Sequence, residues 1–182
     1  MEISAPQFVI IGGGLAGCEC ALALARAGIA STIYEQKPEA FSPAHVSAGL
    51  GELVCSNSFR SNDVQGSGVG LLKQEMRELG SEVMAIAETC SVPAGKALAV
   101  DRDLFSQRLT KRVEDEPLIT LVRRQIASLD APNLRARPSS LRLALWSPRI
   151  LPPLWLPSFR KNPALIACIS TMPSRPSCVR TP

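Results

Sequence analysis

The chain begins with a short apolar run, Phe8 to Ile11, that stops at three consecutive glycines. Four apolar residues closed by a turn signal predict a buried parallel strand. Residues 15–27 are rich in Ala and Leu and predict a helix, with Gly28 at its end and the small Ala21 where it crosses a sheet. A second apolar strand, residues 31–34, ends at Glu35. A polar loop then runs to about Ser61, broken by Pro38, Pro43, Gly49 and Gly51. Loops of that length are functional or disordered. Val69, Leu72, Met76 and Leu79 recur at three and four residues, which predicts an amphipathic helix ending at Gly80. A further helical segment covers 81–89, and 97–100 reads as a short strand. Asp101 is placed to cap a helix with Phe105, Leu109 and Val113 on one face; Pro117 stops it before a strand at 118–122. The order suits an α/β sheet carrying an inserted helical region.

The first turn carries chemistry. Gly12, Gly13, Gly14, Leu15, Ala16 and Gly17 form a Gly-x-Gly-x-x-Gly string between a strand and a helix, the setting that a dinucleotide fingerprint requires. Gly12 permits the tight turn, Gly14 admits a pyrophosphate, and Gly17 lets the helix pack on the strand. The helix N-terminus offers N–H groups and partial positive charge to the phosphates. Glu35 ends the second strand, where an acid accepts ribose 2′-OH hydrogen bonds and repels a 2′-phosphate. The ligand expected at this site is therefore FAD or NAD rather than NADP.

Composition divides the chain. All 12 Gly lie at or before Gly95, and all 16 acidic residues at or before Asp130. Residues 132–182 hold no Gly, Asp or Glu but 8 Lys+Arg, 10 of the 15 Pro and both Trp. A globular domain does not dispense with acids and glycine over such a length. The expected organisation is a partial dinucleotide-binding domain over 1–131 and an irregular or disordered tail over 132–182.

The six cysteines form no Cys-x-x-Cys pair, and with His45 the single histidine no metal site is expected. No basic segment precedes the first apolar strand, and no apolar run approaches the ~18 residues of a membrane span. A reducing cytoplasm is the expected compartment. Cys55 lies in the loop, among Ser56, Asn57 and Ser58, with Arg60 nearby. Nearby positive charge favours a thiolate, yet cysteine is also among the most often buried residues, so spacing alone leaves Cys55 open between nucleophile and packing residue. Cys18 and Cys20 read as packing residues of the first helix, and His45 as an ordinary loop histidine.

Several strings resemble the folate- and FAD-dependent tRNA (uracil-5-)-methyltransferase family, TrmFO. They are the glycine turn 12–17, Ser42-Pro-Ala-His45, Glu52-Leu-Val-Cys-Ser-Asn-Ser58, Val69-Gly-Leu-Leu-Lys73, Val92-Pro-Ala-Gly95 and Ala97-Leu-Ala-Val-Asp-Arg102. The glycine turn is generic; the strings 52–58 and 97–102 are specific. The resemblance covers about residues 6–130, with departures at Lys96 and Val46. It implies a Rossmann-like FAD-binding domain of the glutathione-reductase type, with FAD as cofactor. It also implies 5,10-methylenetetrahydrofolate and NAD(P)H as co-substrates, and a T-loop uridine of tRNA as acceptor. Uracil C5 is a poor nucleophile until a thiolate adds at C6, and the family's loop cysteine maps to Cys55. Another cysteine that the family uses lies in a part that this sequence lacks.

The family is expected to continue after Val122 into a strand ending in Ala-Thr-Gly-Pro-Leu, which is missing. Codons read one nucleotide earlier permit V-L-A-T-G-P-L-V-S-P over residues 140–148 and Y-F-Y-D-A-I-A-P-I-V over 168–177, with Trp146 forcing a Val and Met172 an Ala. The tail is therefore read as out of frame, the chain as a truncated N-terminal piece, and the fragment itself as inactive. Without that strand, which the Pro-rich tail is not expected to replace, the outer flank of the first strand is expected to be unpaired. Two other readings stand beside this one: a different FAD-dependent oxidoreductase, and a non-catalytic nucleotide-binding module with a basic RNA-binding tail.

Overall fold

The computed structural model describes residues 8–127, together with the backbone of 141–144 and 165–167. The first apolar run forms β1 (Phe8–Ile11), and helix α1 (Leu15–Arg26) carries the chain over to β2 (Ser31–Glu35). The two strands pair in parallel, Phe8 opposite Ser31 and Ile11 opposite Tyr34. Ala21 and Leu22 are fully buried, and Gly28 takes φ +74° just beyond the helix, where the left-handed turn favours glycine. On the far side of β2 lies β6 (Ile119–Arg123), with Ser31 opposite Ile119 and Glu35 opposite Arg123.

The sheet continues past β1, against expectation. Strand β7 (Leu141–Ala144) pairs in parallel with β1, Phe8 opposite Leu141, and β8 (Leu165–Ala167) pairs with β7. The five parallel strands lie in the order β6-β2-β1-β7-β8. The flank of β1 is thus occupied: a row of free amides and carbonyls takes up any short apolar segment able to extend, and Leu-Arg-Leu-Ala is one. The rest of 132–182 lies outside the described residues, as does the expectation of irregular structure there.

Three further helices lie between β2 and β6: α2 (Gly68–Glu78), α3 (Glu82–Thr89) and α4 (Arg102–Glu114). Each is capped by a side-chain oxygen, from Ser67, Ser81 and Asp101 respectively. The expected face of α4 is fully buried at Phe105, Leu109 and Val113. These residues join Ile10, Leu22, Ile33, Leu50 and Met84 in one core.

Two local expectations are corrected. The strand at 97–100 is present as β5 (Ala97–Val100), but it belongs to a separate antiparallel sheet, between β3 (Ser58–Ser61) and β4 (Ser91–Val92). β3 occupies what the sequence reads as loop. It is four residues long and bulged, with Arg60 at φ +67°, so no alternating pattern announces it. Its anchor is Phe59, edge-on to Phe105 at 5.4 Å between ring centroids. Helix α2 forms as expected and Met76 of the expected face packs on the core, but the inward face is rotated away from Leu72 and Leu79. Gly70 and Lys73 are buried, whereas Leu72 is 55% and Leu79 78% exposed. On the inward face the Lys73 ammonium donates to the Phe59 carbonyl of β3 at 2.9 Å, and Gly70 lies against the Asp63 backbone.

Candidate functional site

The glycine turn has the geometry that its sequence implies. Gly12 lies at φ +104°, and its N–H donates to the Tyr34 carbonyl at 2.8 Å, which holds the turn over the end of β2. A side chain on Gly17 would strike the Gly12 carbonyl, so the third glycine sets how closely α1 approaches β1. Gly14 is exposed with open space where a Cβ would stand, and as the N-cap of α1 it leaves the first-turn amides without a side-chain cap. Leu15 packs on the core and Ala16 is exposed. An uncapped N-terminus beside an open backbone approach fits a dinucleotide pyrophosphate.

Glu35 is more engaged than an acid awaiting a ribose. It is buried; Oε2 accepts from the Gly13 amide at 2.7 Å and Oε1 from the Lys37 amide at 3.0 Å. Each oxygen retains a second lone pair for a ribose hydroxyl. Gly13 is the position where the turn meets the rest of the site: a Cβ there would collide with Leu50 and touch the Glu35 carboxylate.

Sequence reasoning missed the residues that tie down the long loop. Lys37 is buried, and its ammonium donates to the Gly49 carbonyl at 2.7 Å and to Glu52 Oε2 at 3.0 Å. Glu52 Oε1 accepts from the amides of Val46 at 2.9 Å and Ser47 at 3.0 Å. Burial alone would push the Glu52 carboxyl up; the Val46 and Ser47 amides and the Lys37 ammonium outweigh it and hold the group below its ordinary value. Leu50 is fully buried, its carbonyl accepting from Ser106 Oγ at 2.7 Å, while the Gly51 amide donates to the Gly13 carbonyl at 2.9 Å. Arg123, at the end of β6, donates to the carbonyls of Lys37 and Ala48. A lysine next to a proline reads as a surface charge, and no periodicity marks any of these positions.

Three residues beyond Glu52, the Cys55 thiol is exposed. Among the described residues the thiol is therefore not a core packing residue. Two clefts flank the loop and meet at Asp101, Arg102 and Asp103. One of about 460 Å³ is lined by Ser56 and Asn57, the other, of about 1040 Å³, by Glu52 and Val54. Cys18 is no competitor: burial, then the Glu35 charge, push its thiol up to about 12, and its Sγ sits 3.4 Å from the Gly13 carbonyl. Cys90 is buried and Cys20 half-buried. His45 Nδ1 lies 2.6 Å from Ser42 Oγ, a local loop contact. Among the described residues no cluster of three or more His, Cys, Asp or Glu is placed to hold a metal ion.

The model of the family described as "Glucose inhibited division protein A" matches residues 7–138. The chain belongs to that family. Its similarity within the family is to methylenetetrahydrofolate–tRNA-(uracil-5-)-methyltransferase TrmFO. The protein of that name from Nitratidesulfovibrio vulgaris is 69% identical over 125 residues, which is 69% of this chain and 26% of the relative. The one from Oleidesulfovibrio alaskensis is 66% identical over 126 residues, 69% of this chain and 28% of the relative. The Geobacter sulfurreducens protein is 54% identical over 122 residues, 67% of this chain and 28% of the relative. The chain therefore spans about a quarter of the length of the curated relatives it matches. In fold it resembles Aquifex aeolicus GidA, with a TM-score of 0.59 at 16% identity over 80% of this chain and 25% of that one. This glucose-inhibited-division-type chain thus has the Rossmann-like α/β architecture that its sequence implies.

Proposed function

We propose that this chain carries the FAD-binding turn and the loop cysteine of a folate- and FAD-dependent tRNA (uracil-5-)-methyltransferase. The single observation that carries the reading is the exposed Cys55 thiol on a loop hydrogen-bonded to the dinucleotide turn. The high identity to the TrmFO enzymes supports it. The amides at the start of α1 bind the pyrophosphate, and Glu35 accepts from the adenosine ribose. FAD, when bound, carries the one-carbon group from methylenetetrahydrofolate, with NAD(P)H supplying the reducing equivalents. Cys55 serves the uracil: its thiolate adds at C6, the electron pair of the C5–C6 bond moves toward C5 and the C4 carbonyl, and C5 becomes nucleophilic. C5 then bonds to the one-carbon unit as that unit's bond to its carrier breaks; the C5 proton and the C6 thiolate leave, and a hydride derived from NAD(P)H turns the methylene into the methyl group. The substrate is the T-loop of tRNA and the setting is the cytoplasm. No helix among the described residues is long and apolar enough to cross a membrane.

The same reading places a change of frame between residues 123 and 140, and sequencing the gene across those codons tests it directly. FAD titration of the 182-residue chain tests the cofactor site. Weak binding is expected for the 182-residue chain and full binding once the downstream frame is restored; both are lost in Gly14→Val, because a branched side chain fills the space of the pyrophosphate. With the downstream frame restored, Cys55→Ser is expected to retain FAD and lose methyl transfer by about a hundredfold or more. Near-normal methylation by the serine variant would remove Cys55 from the mechanism.

A further inference from the structure

We propose that Lys37 and Glu52 are positioning residues that couple the dinucleotide turn to the Cys55 loop, so that filling the nucleotide site changes the presentation of Cys55. This inference rests on the reading of the two sites given above.

Lys37 is buried and Glu52 mostly so, with side chains 5% and 11% exposed and 3.0 Å between Nζ and Oε2. A buried ion pair is a poor means of stabilising a fold, because desolvation offsets its attraction. What it does supply is direction: each group here is fixed by several bonds of defined geometry. Lys37 Nζ holds the Gly49 carbonyl as well as Glu52, and Glu52 holds the Val46 and Ser47 amides as well as Lys37. Arg123 closes the arrangement from the sheet, donating to the Lys37 and Ala48 carbonyls.

The network reaches the nucleotide site through the Glu35 side chain, beside the direct bond from the Gly51 amide to the Gly13 carbonyl. Glu35 accepts the Gly13 amide on one oxygen and the Lys37 amide on the other. Hydrogen bonds therefore lead from the Gly13 amide to Glu35 and on to the Lys37 amide, and the covalent side chain of Lys37 carries the link from there to Glu52, three residues before Cys55. A dinucleotide acts on the first two links. Its pyrophosphate attracts the Gly13 amide, and its ribose hydroxyls donate to the Glu35 carboxylate. Losing the Gly13 amide strengthens Glu35 as an acceptor for the Lys37 amide and a ribose donor weakens it; either event changes how Glu35 holds the Lys37 backbone, from which the ammonium reaches out to grip the loop. By reciprocity, loosening the grip changes nucleotide affinity too.

The test uses the full 182-residue chain and two measurements: FAD binding by flavin fluorescence, and the rate of iodoacetamide alkylation at Cys55, followed by peptide mass spectrometry with and without saturating FAD. For the native chain, FAD is expected to change the Cys55 rate by about fivefold or more. In the double variant Lys37→Met, Glu52→Gln, which keeps an acceptor for the Val46 and Ser47 amides, FAD still binds and the rate ratio falls to about one. Lys37→Arg restores the ratio, and Glu52→Gln alone gives an intermediate one. If the native ratio is one while FAD binds, the inference fails and the function reading stands. If the double variant or Glu52→Gln keeps the native ratio, FAD acts on Cys55 directly and the coupling is refuted. Absence of FAD binding to the native chain refutes the cofactor reading and this inference with it.

Discussion

At the scale of single residues, the three glycines of the fingerprint are not equivalent. Gly17 faces the Gly12 carbonyl at a distance that no Cβ tolerates, whereas Gly14 faces open space. Gly17→Ala is therefore expected to cost about 1–3 kcal/mol through displacement of α1 from β1. Gly14→Ala is expected to cost under ~1 kcal/mol, the difference between two residues at an N-cap. Urea denaturation of the two variants checks the ordering; equal losses would mean that the helix is free to shift. Gly13, which the fingerprint treats as a free position, is constrained by Leu50 and Glu35 instead. That constraint comes from residues 22 and 37 positions away, and nothing in the local string announces it. Cys55 shows the same limit from the other side. Its residue type suggests chemistry, but only the surrounding fold decides that the thiol is exposed, whereas Cys18 is buried as its place in the first helix implies.

Among the elements, α2 offers the sharpest test of which face is inside. Leu72 stands on the face that apolar periodicity selects, yet it is largely exposed, while Lys73 is 4% exposed and holds the Phe59 carbonyl. Leu72→Gln is expected to change stability by no more than ~0.5 kcal/mol. Lys73→Ala is expected to cost about 1 kcal/mol or more, because it removes the donor of a part-buried carbonyl and the packing of the buried lysine stem. Thermal or urea unfolding of both variants separates the two faces. The elements that the sequence made legible are those with a strong local rule: β1 and β2 by continuous apolar runs, α1 by its Ala/Leu content, and α4 by Asp101 and the Phe105–Leu109–Val113 spacing. β3 and β4 were not legible, since four-residue and two-residue strands carry no period. The role of β5 was hidden for a related reason. A four-residue apolar strand reads alike whether its neighbours are parallel or antiparallel. The glycine turn and Glu35 were legible because they obey a fixed spacing. The Lys37–Glu52 clasp was not, because it depends on a loop folding back on itself.

For the molecule as a whole, that clasp gives stability a dependence on pH. The Glu52 carboxyl is held below its ordinary value of about 4.5 when the chain is folded. The folded state thus binds this proton less readily than the unfolded state does. The resulting stabilisation is complete above pH ~4.5 and disappears as pH falls through the lower, folded-state value. Glu52→Gln is expected to be less stable than the native chain at pH 7, with the gap closing as the solution is acidified. Urea midpoints at pH 7 and below pH 4 provide the measurement; a gap that stays constant would assign the loss to packing rather than charge. The place of the parallel partner of β1 has another consequence, for synthesis on the ribosome. Phe8 pairs with Leu141, so one edge of β1 waits for a segment made roughly 130 residues later. At translation rates of about 5–20 residues per second, that interval is on the order of ten seconds. Throughout it, β1 and β2 can pair while the far edge of β1 stays open to any passing strand. For this chain, nascent-state protection by chaperones matters most in the window between the emergence of β2 and that of β7.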